Sequence, residues 1–273
     1  MRLYNGASVP PTAVFGIIVI VLYALIAIFA GQLAPFAETE IVGMEFEPPG
    51  GAYLLGTDNL RRDMLSRLIW GARNSIGIAL ATTGIAFFSG ALLGLFAAVV
   101  GGWADQILSR LVDMLISIPS LLFALLLLSI FGTSILTLIL VIATLEMTRV
   151  FRLSRAVAMD VVVMDFVEAA RLRGEGMWWL IRREILPNIM APLVAEFGLR
   201  FCFVFLAISA LSFLGLGIQP PTADWGSMVR DNAALITFGD ITPLLPAAAI
   251  ALLTVAINFV VDWMLHRTSG LKD

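Results

Sequence analysis

The sequence predicts an all-α integral membrane protein with six transmembrane helices. Composition gives the first reason: 60% of the 273 residues are hydrophobic and 14% charged, with a mean hydropathy of +0.97. A soluble domain carries nearly twice that charge. The second is a series of uncharged runs long enough to cross about 30 Å of hydrocarbon. The third is that the polar stretches between them carry turn and helix-end signals rather than the alternating faces of a large soluble core.

Residues 12–34 form the first expected span, since no charge falls between Arg2 and Glu38. Small residues follow its apolar run, as in a secretory signal, but the run exceeds the usual 7–15 residues of such a segment. Residues 35–73 are a polar loop marked by Pro48–Pro49–Gly50–Gly51. Within it, LRRDMLSRLIW puts Leu60, Met64, Leu65, Leu68 and Ile69 on one helical face, which predicts a short helix lying at the membrane surface. Residues 74–100 make the second span, ended by Gly101–Gly102, and 105–131 the third. Gly132–Thr133–Ser134 is a tight turn before the fourth, 134–155. The fifth is 189–214 and the sixth 241–263, with a polar loop at 215–240 between them.

Six spans place both termini on one side, and the basic residues choose which. With the N-terminus inside, the inner ends and loops hold Arg2, Arg110, Arg149, Arg152, Arg155, Arg171, Arg173, Arg182, Arg183, Arg267 and Lys272. The outer side holds Arg61, Arg62, Arg67, Arg73 and Arg230. Eleven against five predicts an N-in, C-in topology.

Residues 160–188 interrupt this pattern with VEAARLRGEGMWWLIRREILPN. Asp165 with Glu168 three positions on has the spacing of a helix start, and Ala169 to Arg173 are good helix formers. Gly174 and Gly176 break the run. A second short helix is expected from Met177 to Ile185, closed by Pro187. Leu172, Met177, Trp178 and Trp179 among arginines suit a protein docking surface better than a solvated connector.

Several chemistries are excluded. One cysteine, Cys202, permits no internal disulfide, and one histidine, His266, no HExxH site. The only lysine is Lys272, so no Walker-type nucleotide loop exists. A net charge of −3 argues against nucleic acid. A self-sufficient secondary transporter or channel would need intramembrane charges, for which Glu146, Glu196, Arg200 and Asp262 are the candidates. Glu196 and Arg200, four apart, can form an intramembrane ion pair on one helical face. An intramembrane enzyme is poorly supplied with nucleophiles or metal ligands.

Three segments together carry a resemblance. EAARLRG, nine residues and EILP are similar to the EAA loop of binding-protein-dependent ABC importer permeases. GTDNLRRDMLSRLIWGARNSI and SFLGLGIQPPTADWGSM resemble segments of the dipeptide, oligopeptide and nickel permease subfamily, in its C-type member. The resemblance implies a type I importer permease fold and a non-catalytic subunit in a bacterial cytoplasmic (inner) membrane. It implies a homologous second permease, two ABC ATPase subunits that bind the ATP and Mg, and an extracytoplasmic solute-binding protein. Carried over, Glu168, Ala169, Ala170, Arg171, Gly174, Trp178, Leu186 and Pro187 form the ATPase-coupling element. Gly56, Thr57, Asp58, Arg62, Asp63, Pro220, Pro221 and Trp225 belong to the loops facing the binding protein. This chain departs from the subfamily pattern at Arg61, where glycine is common, at Glu175–Gly176, at Glu184, and at Glu146, near a common tryptophan.

Overall fold

The computed structural model describes residues 9–269, so the expectations that rest on Arg2 and Lys272 lie outside the described residues. Apart from two isolated β-bridges in the loop before residue 64, every regular element described is helical. In order these are α1 (Pro11–Ile28), α2 (Ala30–Leu33), α3 (Met64–Val100), α4 (Gly102–Ile116), α5 (Ser120–Phe131), α6 (Ile135–Val162), α7 (Asp165–Leu172) and α8 (Met177–Trp179). A π-helical turn, Leu180–Ile185, leads into α9 (Leu186–Phe213). Then come α10 (Trp225–Asp231), a 3-10 turn (Ala233–Phe238) and α11 (Leu244–Ser269).

Four segments are long and apolar enough to cross a membrane: Pro11–Ile28, Met64–Val100, Met177–Phe213 and Leu244–Arg267. The pair α4 and α5 makes a fifth if it is one broken span, bent by 85°. That bend corrects the expectation of a continuous helix over 105–131. Pro119 has no N–H to donate and pushes Ile118 out of the helical region, so the chain turns at Ser117–Pro119. α6 has the length but carries Glu146, Arg149, Arg152, Arg155 and Asp160.

Three other boundaries differ from expectation. The surface helix expected around Leu60–Trp70 is not separate. Asp63 caps α3, accepting from Ser66 N at 2.7 Å, and the helix then runs 37 residues without a break. α6 continues to Val162, past the expected end at 155, so Arg149, Arg152 and Arg155 lie inside the helix rather than at its end. Pro187 closes nothing. The Leu186 N–H reaches back to Ile181 O in the wider π turn, which leaves Pro187 in the first turn of α9, where a missing N–H is tolerated.

The centre of the fold is the contact between α3 and α6, and small residues make it close. A Cβ added at Gly90 would lie 2.6 Å from the Met147 carbonyl oxygen, and one at Gly94 2.7 Å from that of Phe151. This is a GxxxG spacing that brings two backbones together where no hydrophobic effect can drive association. α1 packs on α11 in the same way at Gly16, whose Cβ would meet Ala256 O at 2.4 Å. The core behind these seams holds Phe205, Leu211, Met228 and Trp225. Trp225 meets Tyr23 and Phe205 edge-on at 5.7 and 6.1 Å between ring centroids.

Candidate functional site

The polar insertion lies against the end of the bundle where α3 finishes. α7 starts one residue earlier in role than its sequence suggests: the N-cap is Met164 and not Asp165, with no side-chain cap. Asp165 and Glu168 instead sit in the first turn, beside the unsatisfied N–H groups they favour electrostatically. One face of α7 is anchored. Val167 and Ala170 are fully buried against Leu180, and Arg171 donates to Val99 O at 3.3 Å on the last turn of α3. Below it, Ile181, Ile185 and Ile189 pack on Leu95, Ala98 and Ala158. The other face is open. Glu168 and Ala169 are exposed, Leu172 is 83% exposed and Trp178 59%.

Gly174 makes the turn between the two helices. Its φ is +82°, a conformation that costs other residues a steric penalty, and its N–H bonds Arg171 O while that of Glu175 bonds Ala170 O. Of the expected coupling residues, Glu168, Ala169, Arg171, Gly174, Trp178 and Pro187 are therefore on the surface, Ala170 is in the anchor, and Leu186 is half-buried.

At the opposite end the two loops expected to face a binding protein interlock into one body. Glu38 accepts from Asn74 Nδ2 at 2.7 Å and from the Ala223 N–H at 2.5 Å, while Asn74 also donates to Ala223 O at 2.9 Å. Arg67 bridges Glu38 O and Pro221 O, both at 3.3 Å, and meets Asp58 at 3.3 Å. Trp225 Nε1 donates to Leu68 O at 2.9 Å, and Ser75 Oγ to Asp224 at 2.9 Å. Thr57, Asp58, Arg62, Asp63 and Trp225 are all buried within this platform. Asp58 holds the Arg62 guanidinium at 2.7 Å and accepts its N–H at 2.9 Å. Gly56 allows close approach, since a Cβ there would fall 2.3 Å from Glu47 O. These residues shape the platform's surface from beneath, and Pro220 and Pro221 lie on it. Arg61 has φ +64°, so the position where glycine is common is one that strains any side chain, offset here by Arg61 Nε donating to Gly43 O at 2.9 Å.

Burial pushes the Asp224 carboxyl above the usual carboxylate range, against the pull of its hydrogen bonds from Ser227 and Ser75.

Between the two ends lies a buried charge cluster. Arg200 pairs with Glu196 at 2.8 Å, as the four-residue spacing predicts, and also with Glu146 on α6 at 2.9 Å. Glu146, expected both as a departure from the subfamily pattern and as a candidate intramembrane charge, thus has a partner 54 positions away that no sequence spacing signals. A second cross-helix pair, Asp105 on α4 with Arg155 on α6, was also missed; Arg155 Nη2 donates to Asp105 at 2.6 Å. The described residues hold no group of three or more metal-ligating side chains.

Long apolar helices around a buried ion cluster define a multi-pass membrane protein, with the short helix α7 open to the surface on one face. Residues 90–268 match the family described as "Binding-protein-dependent transport system inner membrane component", and the chain belongs to that family. It is similar to the di/tripeptide transport system permease protein DppC of Pseudomonas aeruginosa, 38% identical over 96% of this chain and 86% of that protein. It also resembles the probable D,D-dipeptide transport system permease protein DdpC of Escherichia coli, 35% identical over 99% and 91%. The glutathione transport system permease protein GsiD of Pectobacterium atrosepticum is 31% identical over 94% and 84%. The chain is thus a non-catalytic permease subunit of an ABC importer, and a self-sufficient transporter is not favoured.

Proposed function

We propose that this subunit forms half of the translocation pathway for a peptide or peptide-like solute, in the bacterial inner membrane. In this reading it crosses the membrane six times, N-in and C-in: through α1, α3, the broken span α4–α5, α6, α9 and α11. α6 is the crossing that hydropathy alone misses. Its 28 residues span roughly 42 Å at 1.5 Å per residue, and two of its charges, Glu146 and Arg155, are paired with neighbouring helices.

Placing Arg149, Arg152 and Arg155 inside that crossing leaves, among the described residues, Arg110, Arg171, Arg173, Arg182, Arg183 and Arg267 on the α7 side. The α10 side holds Arg61, Arg62, Arg67, Arg73 and Arg230. The excess supports an α7 end in the cytoplasm.

The observation that carries the proposal is the split character of α7, anchored by Val167, Ala170 and Arg171 on one face and open at Glu168, Ala169 and Leu172 on the other. A helix held this way transmits force. An ATPase subunit gripping the open face would move α7 and, through Ile181 and Ile185, the ends of α3, α6 and α9 together. ATP binding by two such subunits would rock this chain against a homologous permease to open outward, and hydrolysis would reset it. The interlocked platform at the other end would receive the solute-binding protein. Substrate identity would come from that protein, and dipeptides are suggested by the names of the relatives.

Leu172→Asp tests the grip. It places a charge at a position 83% exposed in the chain itself and leaves the fold intact. The ATPase subunits should no longer co-purify with the permease, while the binding protein still docks. Unchanged co-purification and uptake would remove the coupling assignment.

A further inference from the structure

α6 carries an arginine that the fold does not neutralise by contact. Arg149 stands at the midpoint of the 28-residue helix, about 20 Å from either end. It is exposed, and among the described residues it has no ion pair within 4 Å and no hydrogen bond. The nearby carboxylates Glu146 and Glu196 both address Arg200. An arginine facing lipid at the centre of a crossing costs about 3 kcal/mol on insertion scales, and such residues line water-filled cavities instead.

A cavity is present at this place. The break between α4 and α5 leaves a space of about 340 Å³ in its elbow, walled by Ile116, Pro119, Ser120, Thr148 and Arg149. One turn further along the same face of α6, the exposed Arg152 lines a second space of about 270 Å³, with Ser109 and Asp113. The elbow space itself is lined by no acidic residue, so Arg149 is its only charge, whereas the second space sets Arg152 and Arg155 beside Asp113.

We propose that the elbow cavity is open to water and that Arg149 receives there the carboxylate of a solute in transit. This wall then favours anionic and zwitterionic solutes over cationic ones. The proposal rests on the reading of α6 as a membrane crossing beside the pathway.

The test uses the assembled transporter in vesicles, with the buried Cys202 changed to Ala and Ser120→Cys as the reporter. Two thiol reagents serve as probes, sulfonatoethyl and trimethylammonioethyl methanethiosulfonate, one anionic and one cationic. The ratio of their rates, divided by the same ratio for a free small thiol in the same buffer, cancels the intrinsic reactivity of both thiol and reagents, and every ratio is normalised in this way. The anionic reagent should react roughly ten-fold faster, since a cleft of one charge concentrates counter-ions by at least that factor. Arg149→Gln should bring the ratio near one and Arg149→Lys should preserve it. Raising the salt from about 0.05 to 0.5 M should collapse it in the chain that keeps Arg149, which makes the test independent of how any Arg149 variant folds.

If neither reagent reacts while the same vesicles still accumulate solute, lipid or the second permease covers the elbow and the proposal is wrong. A ratio near one at low salt would also overturn it. Absence of ATP-driven accumulation by the unsubstituted complex would instead count against the importer reading.

Discussion

Arg200 on α9 lies 2.9 Å from Glu146 on α6 and 2.8 Å from Glu196 one turn before it, so one guanidinium joins two helices through two carboxylates. All three residues are more than 90% buried, and the Arg200 side chain also stacks over Phe203 at 4.7 Å.

Removing one member of such a cluster should cost far more than removing all of it. Arg200→Met strands two buried carboxylates, and the expected loss is about 3–5 kcal/mol. The triple change Glu146→Leu, Glu196→Leu, Arg200→Met should recover most of that stability. Thermal unfolding of the purified subunit in detergent reads both. A triple variant as unstable as Arg200→Met would show that the cluster does more than neutralise itself.

The seam between α3 and α6 should tolerate no enlargement. Gly94→Leu must push the Phe151 backbone away, because even its Cβ would lie 2.7 Å from that carbonyl oxygen. Overpacking of this kind costs about 1–3 kcal/mol or more. By contrast, Gly84→Ala, where a Cβ meets nothing within 4 Å, should be neutral or slightly stabilising. Folded yield and melting temperature of the two variants should separate clearly.

The platform should carry a pH signature from Asp224. Its folded pKa is raised by burial, so its contribution to stability is complete below the unfolded value of about 3.9 and is lost as pH rises through the higher folded value. Asp224→Asn keeps a cap acceptor for Ser227 and does not titrate. The stability of the variant relative to the parent should therefore increase between pH 4 and pH 8, and Asp224→Ala should follow the same curve about 1 kcal/mol below Asp224→Asn, since it also lacks the cap. A difference between parent and Asp224→Asn that stays constant with pH would contradict the assignment.

Much of this architecture was legible in the residues, and what was not has a common cause. α1, α3, α9 and α11 follow from apolar length, and the Glu196–Arg200 pair from four-residue spacing, because both are local. Gly174 read correctly as a turn because a helix end needs a left-handed residue. The bend at Pro119 was visible in principle, since Ser-Ile-Pro interrupts the run, but the surrounding hydropathy hid it. Sequence distance hid the rest. Glu146 meets Arg200 across 54 positions, and Glu38 meets Ala223 across 185, so neither has a spacing signature. The same blindness made Asp58, Arg62 and Trp225 look like surface contacts when they are the buried frame of the platform.

The central claim, that a cytoplasmic ATPase grips α7 while a solute-binding protein meets the other end, has one direct measurement. A photo-crosslinking amino acid is placed at Leu172 or at Leu54, which are 83% and 70% exposed at opposite ends of the bundle. In cells expressing the complete transport system, position 172 should capture an ATPase subunit and position 54 the binding protein, each without the other. Capture of the binding protein from position 172, or of an ATPase from position 54, would contradict the account.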